Sequence, residues 1–131
     1  MSVNWLAVII AAVVRFMIGG AWYMPLFGKR WRELQGIPEG ASQAGLGQAM
    51  AVGFVGDLVM AYILARFVIH YGAVGILDGL LVAFMAWLGF VATIMVGLIY
   101  YEKKPPELVA INLGYQLVSM LAMGIILGLW H

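Results

Sequence analysis

Apolar positions run along this chain in long blocks, not in alternation and not on one helical face. Four blocks, at about 3–23, 46–69, 76–100 and 108–130, are apolar almost throughout. Each reaches the roughly 20 residues that an α-helix needs to cross the hydrocarbon of a bilayer. The strict alternation of an outer-membrane barrel strand is missing, so the pattern predicts helices. Breakers fall between the blocks: Pro25, then Gly36, Pro38 and Gly40, then Gly72 and Gly75, then Pro105 and Pro106. The expectation is an all-α membrane protein, a four-transmembrane-helix bundle forming a single integral-membrane domain over residues 1–131. After the first block, Phe27, Trp31 and Leu34 recur at helical spacing among Lys29, Arg30, Arg32 and Glu33. That predicts a short amphipathic helix on the cytoplasmic leaflet, with Phe27 and Trp31 in the interface and Lys29 and Arg30 among the headgroups.

Composition agrees. The chain of 131 residues is 65% hydrophobic and 10% charged, against about 25% charged for a soluble domain. That excludes a soluble enzyme and a nucleic-acid-binding module, and a net charge of +1 leaves no dominant basic surface. Cysteine is absent, so disulfides, thiolate metal sites and cysteine nucleophiles are excluded. His70 falls at a block end and His131 is the last residue, so neither is placed to ligate a metal or haem mid-membrane. No nucleophile or phosphate-binding motif is present, and no two carboxylates share a helix face. The chain is therefore expected to be no enzyme and to need no cofactor. The first block has no basic leader, and Arg15 interrupts it, so it reads as a retained helix.

Charge placement sets an orientation. Lys29, Arg30, Arg32, Lys103 and Lys104 flank one side, and Arg66 alone flanks the other. The positive-inside rule then puts the two basic loops in the cytoplasm and both termini outside.

The candidate chemistry lies inside the blocks. A charge at mid-bilayer costs about 2.5–3.5 kcal/mol on insertion scales, yet the chain carries Arg15 and Asp57 there. At about 1.5 Å per residue they lie roughly 12 and 16 Å from the basic side, so an Arg15–Asp57 pair is expected. Asn112 and Gln116 share a face of the fourth block, Ser119 continues it, and Thr93 reaches a similar depth in the third. All four helices thus send a polar group to one level. A second pair, Arg66 with Asp78, is expected at the opposite rim.

Small residues repeat every fourth position at Gly75, Gly79 and Ala83, at Gly89, Thr93 and Gly97, at Ala49 and Gly53, and at Gly124 and Gly128. Such faces let helices approach closely. The third block has two, more than one neighbour requires. A homo-oligomer, most simply a dimer, or docking on a larger membrane complex is expected.

The segment from Phe16 to Trp31 is distinctive in Phe16, Gly19, Trp22, Tyr23, Pro25, Phe27, Gly28, Lys29 and Trp31. With Val3–Ala7, Trp87–Phe90, Asn112–Tyr115 and Gly124–Trp130, it resembles a family of small bacterial four-span membrane proteins known only as a domain of unknown function. The resemblance covers nearly the whole chain and implies the fold and a bacterial inner-membrane location, but supplies no reaction. Arg15 departs from that pattern, where a small or apolar residue is more usual. By size alone the chain is also similar to small multidrug exporters and fluoride channels. It lacks the exporters' glutamate in the first span and the channels' asparagine and Phe-Ser/Thr motifs.

On the level shared by Arg15, Asp57, Thr93, Asn112 and Gln116, a transporter or channel for a small anionic solute is the first expectation. An accessory subunit of a larger complex is the alternative.

Overall fold

Asn4 starts the first helix. Its side chain accepts the Ala7 N–H at 3.2 Å, satisfying one of the free donors at a helix N-terminus. α1 runs Trp5–Ala21 and passes into one π-helical turn, Trp22–Leu26. The computed structural model describes residues 3–26, 28–35 and 45–130. Next come α2, Gly28–Gln35, and α3, Leu46–Tyr71. Gly72, at φ 77°, closes α3: its N–H bonds the Ile69 carbonyl and that of Ala73 bonds Val68. α4, Gly75–Trp87, passes through a second π-helical turn, Leu88–Ala92, into α5, Thr93–Tyr101. α6, Pro106–Leu129, opens on a proline, whose missing N–H costs nothing in a first turn.

Four helices are long and apolar enough to span a bilayer: Trp5–Met24, Gly47–Tyr71, Gly75–Tyr101 and Pro106–Leu129. They match the predicted blocks to within a few residues, and no strand occurs among the described residues. The protein is a multi-pass membrane bundle.

Its core is made of small side chains. Ala7, Ala11 and Ala12 of α1 meet Ala61, Ala65 and Val68 of α3, with Met120, Met123 and Leu127 of α6 filling between. Large apolar residues point outward instead, Leu77 at 81% exposure and Ile94 at 69%. That distribution suits a lipid solvent, in which close backbone packing holds helices together.

The closest approach joins α4 to α6. Gly75, Gly79 and Ala83 lie directly on Gly124 and Gly128. A Cβ added at Gly124 would sit 2.7 Å from the Ala83 methyl, and one at Gly79 would run into the Gly124 carbonyl. This accounts for the first small-residue stretch of the third span. The second has no such partner: Gly89 and Thr93 are exposed, and nothing lies within 4 Å of a Cβ built at Gly89. Ala49 and Gly53 of α3 are exposed as well.

The expected Arg66–Asp78 pair does not form among the described residues. Asp78 lies in the first turn of α4 and accepts the Val74 N–H at 3.0 Å, meeting a free donor of its own helix start.

Candidate functional site

Arg15 sits just past the middle of α1, on the face turned to α3 and α6, and is 5% exposed. Its Nε donates to Asp57 Oδ1 at 2.8 Å, its Nη2 to Gln116 Oε1 at 2.8 Å, and its Nη1 to Ser119 Oγ. The guanidinium carbon lies 4.9 Å from the centre of the Tyr115 ring. Each nitrogen of the fork therefore has a protein acceptor, and one face of the cation rests on an aromatic π-system. The Ser119 hydroxyl in turn donates to the Gln116 backbone carbonyl at 3.2 Å. Asp57 is 8% exposed. Among the described residues nothing donates to its Oδ2, and no side-chain oxygen or nitrogen is both sealed and unpartnered.

One turn nearer the basic end lies a second polar pair. Tyr23 OH donates to Asn112 Oδ1 at 2.6 Å. The Tyr23 ring meets Tyr115 edge-on at 5.3 Å and Trp31 of α2 at 5.5 Å. The two π-helical turns sit beside this region, and a tryptophan stands at the head of each. Trp22 Nε1 donates to the Ile111 carbonyl at 3.0 Å and Trp87 Nε1 to Leu113 at 3.2 Å. Two spans thus grip α6 through indole donors to carbonyls two residues apart, which fixes the height of Asn112 and Gln116 against Arg15 and Tyr23.

Of the predicted layer, Arg15, Asp57 and Gln116 come together. Asn112 joins a neighbouring pair instead, because Tyr23 takes its carbonyl. Thr93 does not join: it is exposed, and its hydroxyl donates to Gly89 O at 2.9 Å within its own span. Depth along a helix says nothing of azimuth, and the π-helical turn before Thr93 changes where it faces. Tyr115, Tyr23 and the two tryptophans were not expected in the network. The available signal was chemical, since an indole or phenol placed inside the apolar block must find an acceptor.

At the basic end α2 forms the predicted short helix. Trp31 packs on Tyr23, and Lys29 is exposed. Phe27 lies outside the described residues. Arg30 does more than meet headgroups. It grips both oxygens of Glu107 at 2.7 and 2.6 Å and reaches Glu33 at 3.3 Å, tying α2 to the start of α6. Glu107 first, then Glu33, hold the Arg30 pKa above its ordinary value. Gly28 permits this fold-back, since a Cβ there would strike the Tyr23 carbonyl. Among the described residues no cluster of three or more metal-ligating side chains occurs.

The fold is that of a small four-span membrane bundle, locked in this chain by a buried arginine-centred cluster. The profile of the family described as "protein of unknown function (DUF1761)" matches residues 6–128, and the chain belongs to that family. No curated protein and no solved structure matches it.

Proposed function

We propose that the chain is a non-enzymatic structural unit of a membrane assembly, an accessory or self-associating subunit, and that its polar network holds shape and passes no solute. One observation carries this reading. Every nitrogen of Arg15 is already bonded to a protein oxygen, and the cation is buried. An anion pathway needs the opposite, a guanidinium with donors turned to water. Tyr115 over the cation and the indole clamps on α6 support the same reading, since they fix one arrangement of helices.

In this proposal the membrane is the bacterial inner membrane, with α2 and the loop before α6 in the cytoplasm and both termini outside. The support is the bias of Lys and Arg. A single cysteine at Lys104, in a chain that otherwise has none, is expected to resist a membrane-impermeant maleimide in intact cells and to react after lysis. Labelling in intact cells would reverse the orientation.

The function itself is tested in two measurements on the full chain. Native mass spectrometry from nanodiscs is expected to give a species above the 14.3 kDa monomer. Reconstituted vesicles are expected to pass chloride and phosphate no faster than protein-free ones. Anion flux that disappears in Arg15→Gln would overturn the proposal and restore the transport reading.

A further inference from the structure

We infer that Lys29, Arg32, Lys103 and Lys104 form one binding site for the phosphate headgroup of an anionic phospholipid, assembled by the clasp between Arg30 and Glu107. The site is independent of how the bundle associates.

The four cations come from two distant stretches of chain. Arg30 and Glu107, 77 residues apart, join those stretches through bonds of 2.7 and 2.6 Å. Lys29 and Arg32 flank Arg30 in α2. Lys104 stands just before the first turn of α6, separated from Glu107 by at most about 11 Å of extended chain. The clasp therefore sets α2 beside the loop between α5 and α6. Lys29 and Arg32, at i and i+3, share an exposed face of α2, while Trp31 turns to Tyr23.

The same clasp decides which charge is left over. Arg30 holds Glu107 and Glu33, so Glu102, exposed beside Lys103, is the one carboxylate at this end left unmatched among the described residues. Lys29, Arg32, Lys103 and Lys104 are all exposed, and among the described residues none has a carboxylate within ion-pair distance. The surplus is positive. A cluster of about four to eight Lys and Arg beside a span attracts anionic lipid.

Lys103 adds an independent sign. Its φ of 57° is the one positive value at a non-glycine position among the described residues. That left-handed backbone, usually left to glycine after a helix, lets the Lys104 N–H turn back to the Leu98 carbonyl at 3.1 Å. Glycine would make the turn with less strain and no charge. Depth then names the anion. Tyr100 and Tyr101, 68% and 90% exposed, end the third span just before the lysines, and such aromatics mark the headgroup level. At that level the abundant anion is a lipid phosphate, which Lys and Arg both bind through charge-assisted hydrogen bonds. That selects an anionic phospholipid over the acidic face of a soluble protein.

The test titrates the full chain, in a neutral detergent, with phosphatidylglycerol or phosphatidylcholine and counts adducts by native mass spectrometry. Phosphatidylglycerol is expected to be retained where phosphatidylcholine is stripped. Lys103→Gly suits the turn and removes only the charge; it should weaken phosphatidylglycerol binding about fivefold, and Lys29→Gln with Arg32→Gln about twenty-fivefold. Arg66→Gln, which removes a cation at the opposite end, should bind as the parent does. Equal retention of the two lipids would overturn the proposal, as would unchanged binding in Lys103→Gly and in the double variant. An Arg66→Gln loss as large as that in Lys103→Gly would do the same, because net charge and not this cluster would then hold the lipid. Millimolar inorganic phosphate should leave the adducts in place; displacement would mark a general anion site and remove the lipid assignment. Adducts are counted on whatever oligomer is present, so each of these failures leaves the assembly reading standing.

Discussion

Asp57→Leu is expected to destabilise the bundle by about 3–5 kcal/mol, the range for breaking a buried ion pair by removing one partner. The loss comes less from the missing bond than from what is left behind. Arg15, 5% exposed and deep in α1, keeps a charge that it cannot shed. Arg15→Met should cost less, because a lone carboxyl can be discharged by one proton. The double change, Arg15→Met with Asp57→Leu, should recover most of the loss, since paired apolar replacements of similar volume are often neutral. Reversible unfolding of the four proteins in mixed micelles gives the coupling directly. A double variant as damaged as the sum of the singles would mean that the 2.8 Å contact contributes nothing to stability.

The second large effect is expected at the α4–α6 contact. Gly79→Leu cannot be accommodated by moving a side chain, because the first atom it would strike is the Gly124 backbone. The helices must separate, and with them the contacts that set the height of α6 against Arg15. The folded species should be lost. Gly79→Ala should cost about 1–3 kcal/mol from overpacking, offset in part by the roughly 1 kcal/mol of helix propensity that alanine adds. Gly89→Leu is the control. It stands in the same span in open space, so the monomer should melt as the parent does. Equal damage at Gly79 and Gly89 would show that glycine content, and not the packed face, is what matters.

The spans were legible because a hydrocarbon core forces about 20 apolar residues per crossing and the breakers lie between them. The Arg15–Asp57 pair was legible because two charges at nearly one depth have few other ways to avoid lipid. What depth could not give was rotation about the helix axis. Thr93 and Gln116 lie at similar depths, yet one faces out and the other in. No residue pattern marks the π-helical turn at Leu88–Ala92 that separates Thr93 from the glycine face upstream. The small-residue repeats showed that close contacts exist, but not which were internal. That choice depends on α6, whose Gly124 and Gly128 accept only one of the two stretches. Tyr115 and the tryptophans were hidden for another reason. Their rings count as apolar or interfacial in any hydropathy reading, while their role here comes from one hydrogen each.

Arg15 finds its acceptors 42, 101 and 104 residues further along the chain. A ribosome delivers the first helix, with its cation, well before any of them. At roughly 5–20 residues per second, α6 follows about 5–20 s behind. Asp57 arrives sooner, with α3, about 2–8 s behind. Until then the first helix carries a guanidinium that lipid rejects by about 2.5–3.5 kcal/mol. The contact that secures the finished protein is thus also the event in its biogenesis that relieves this cost, and α6 completes the cage only afterwards.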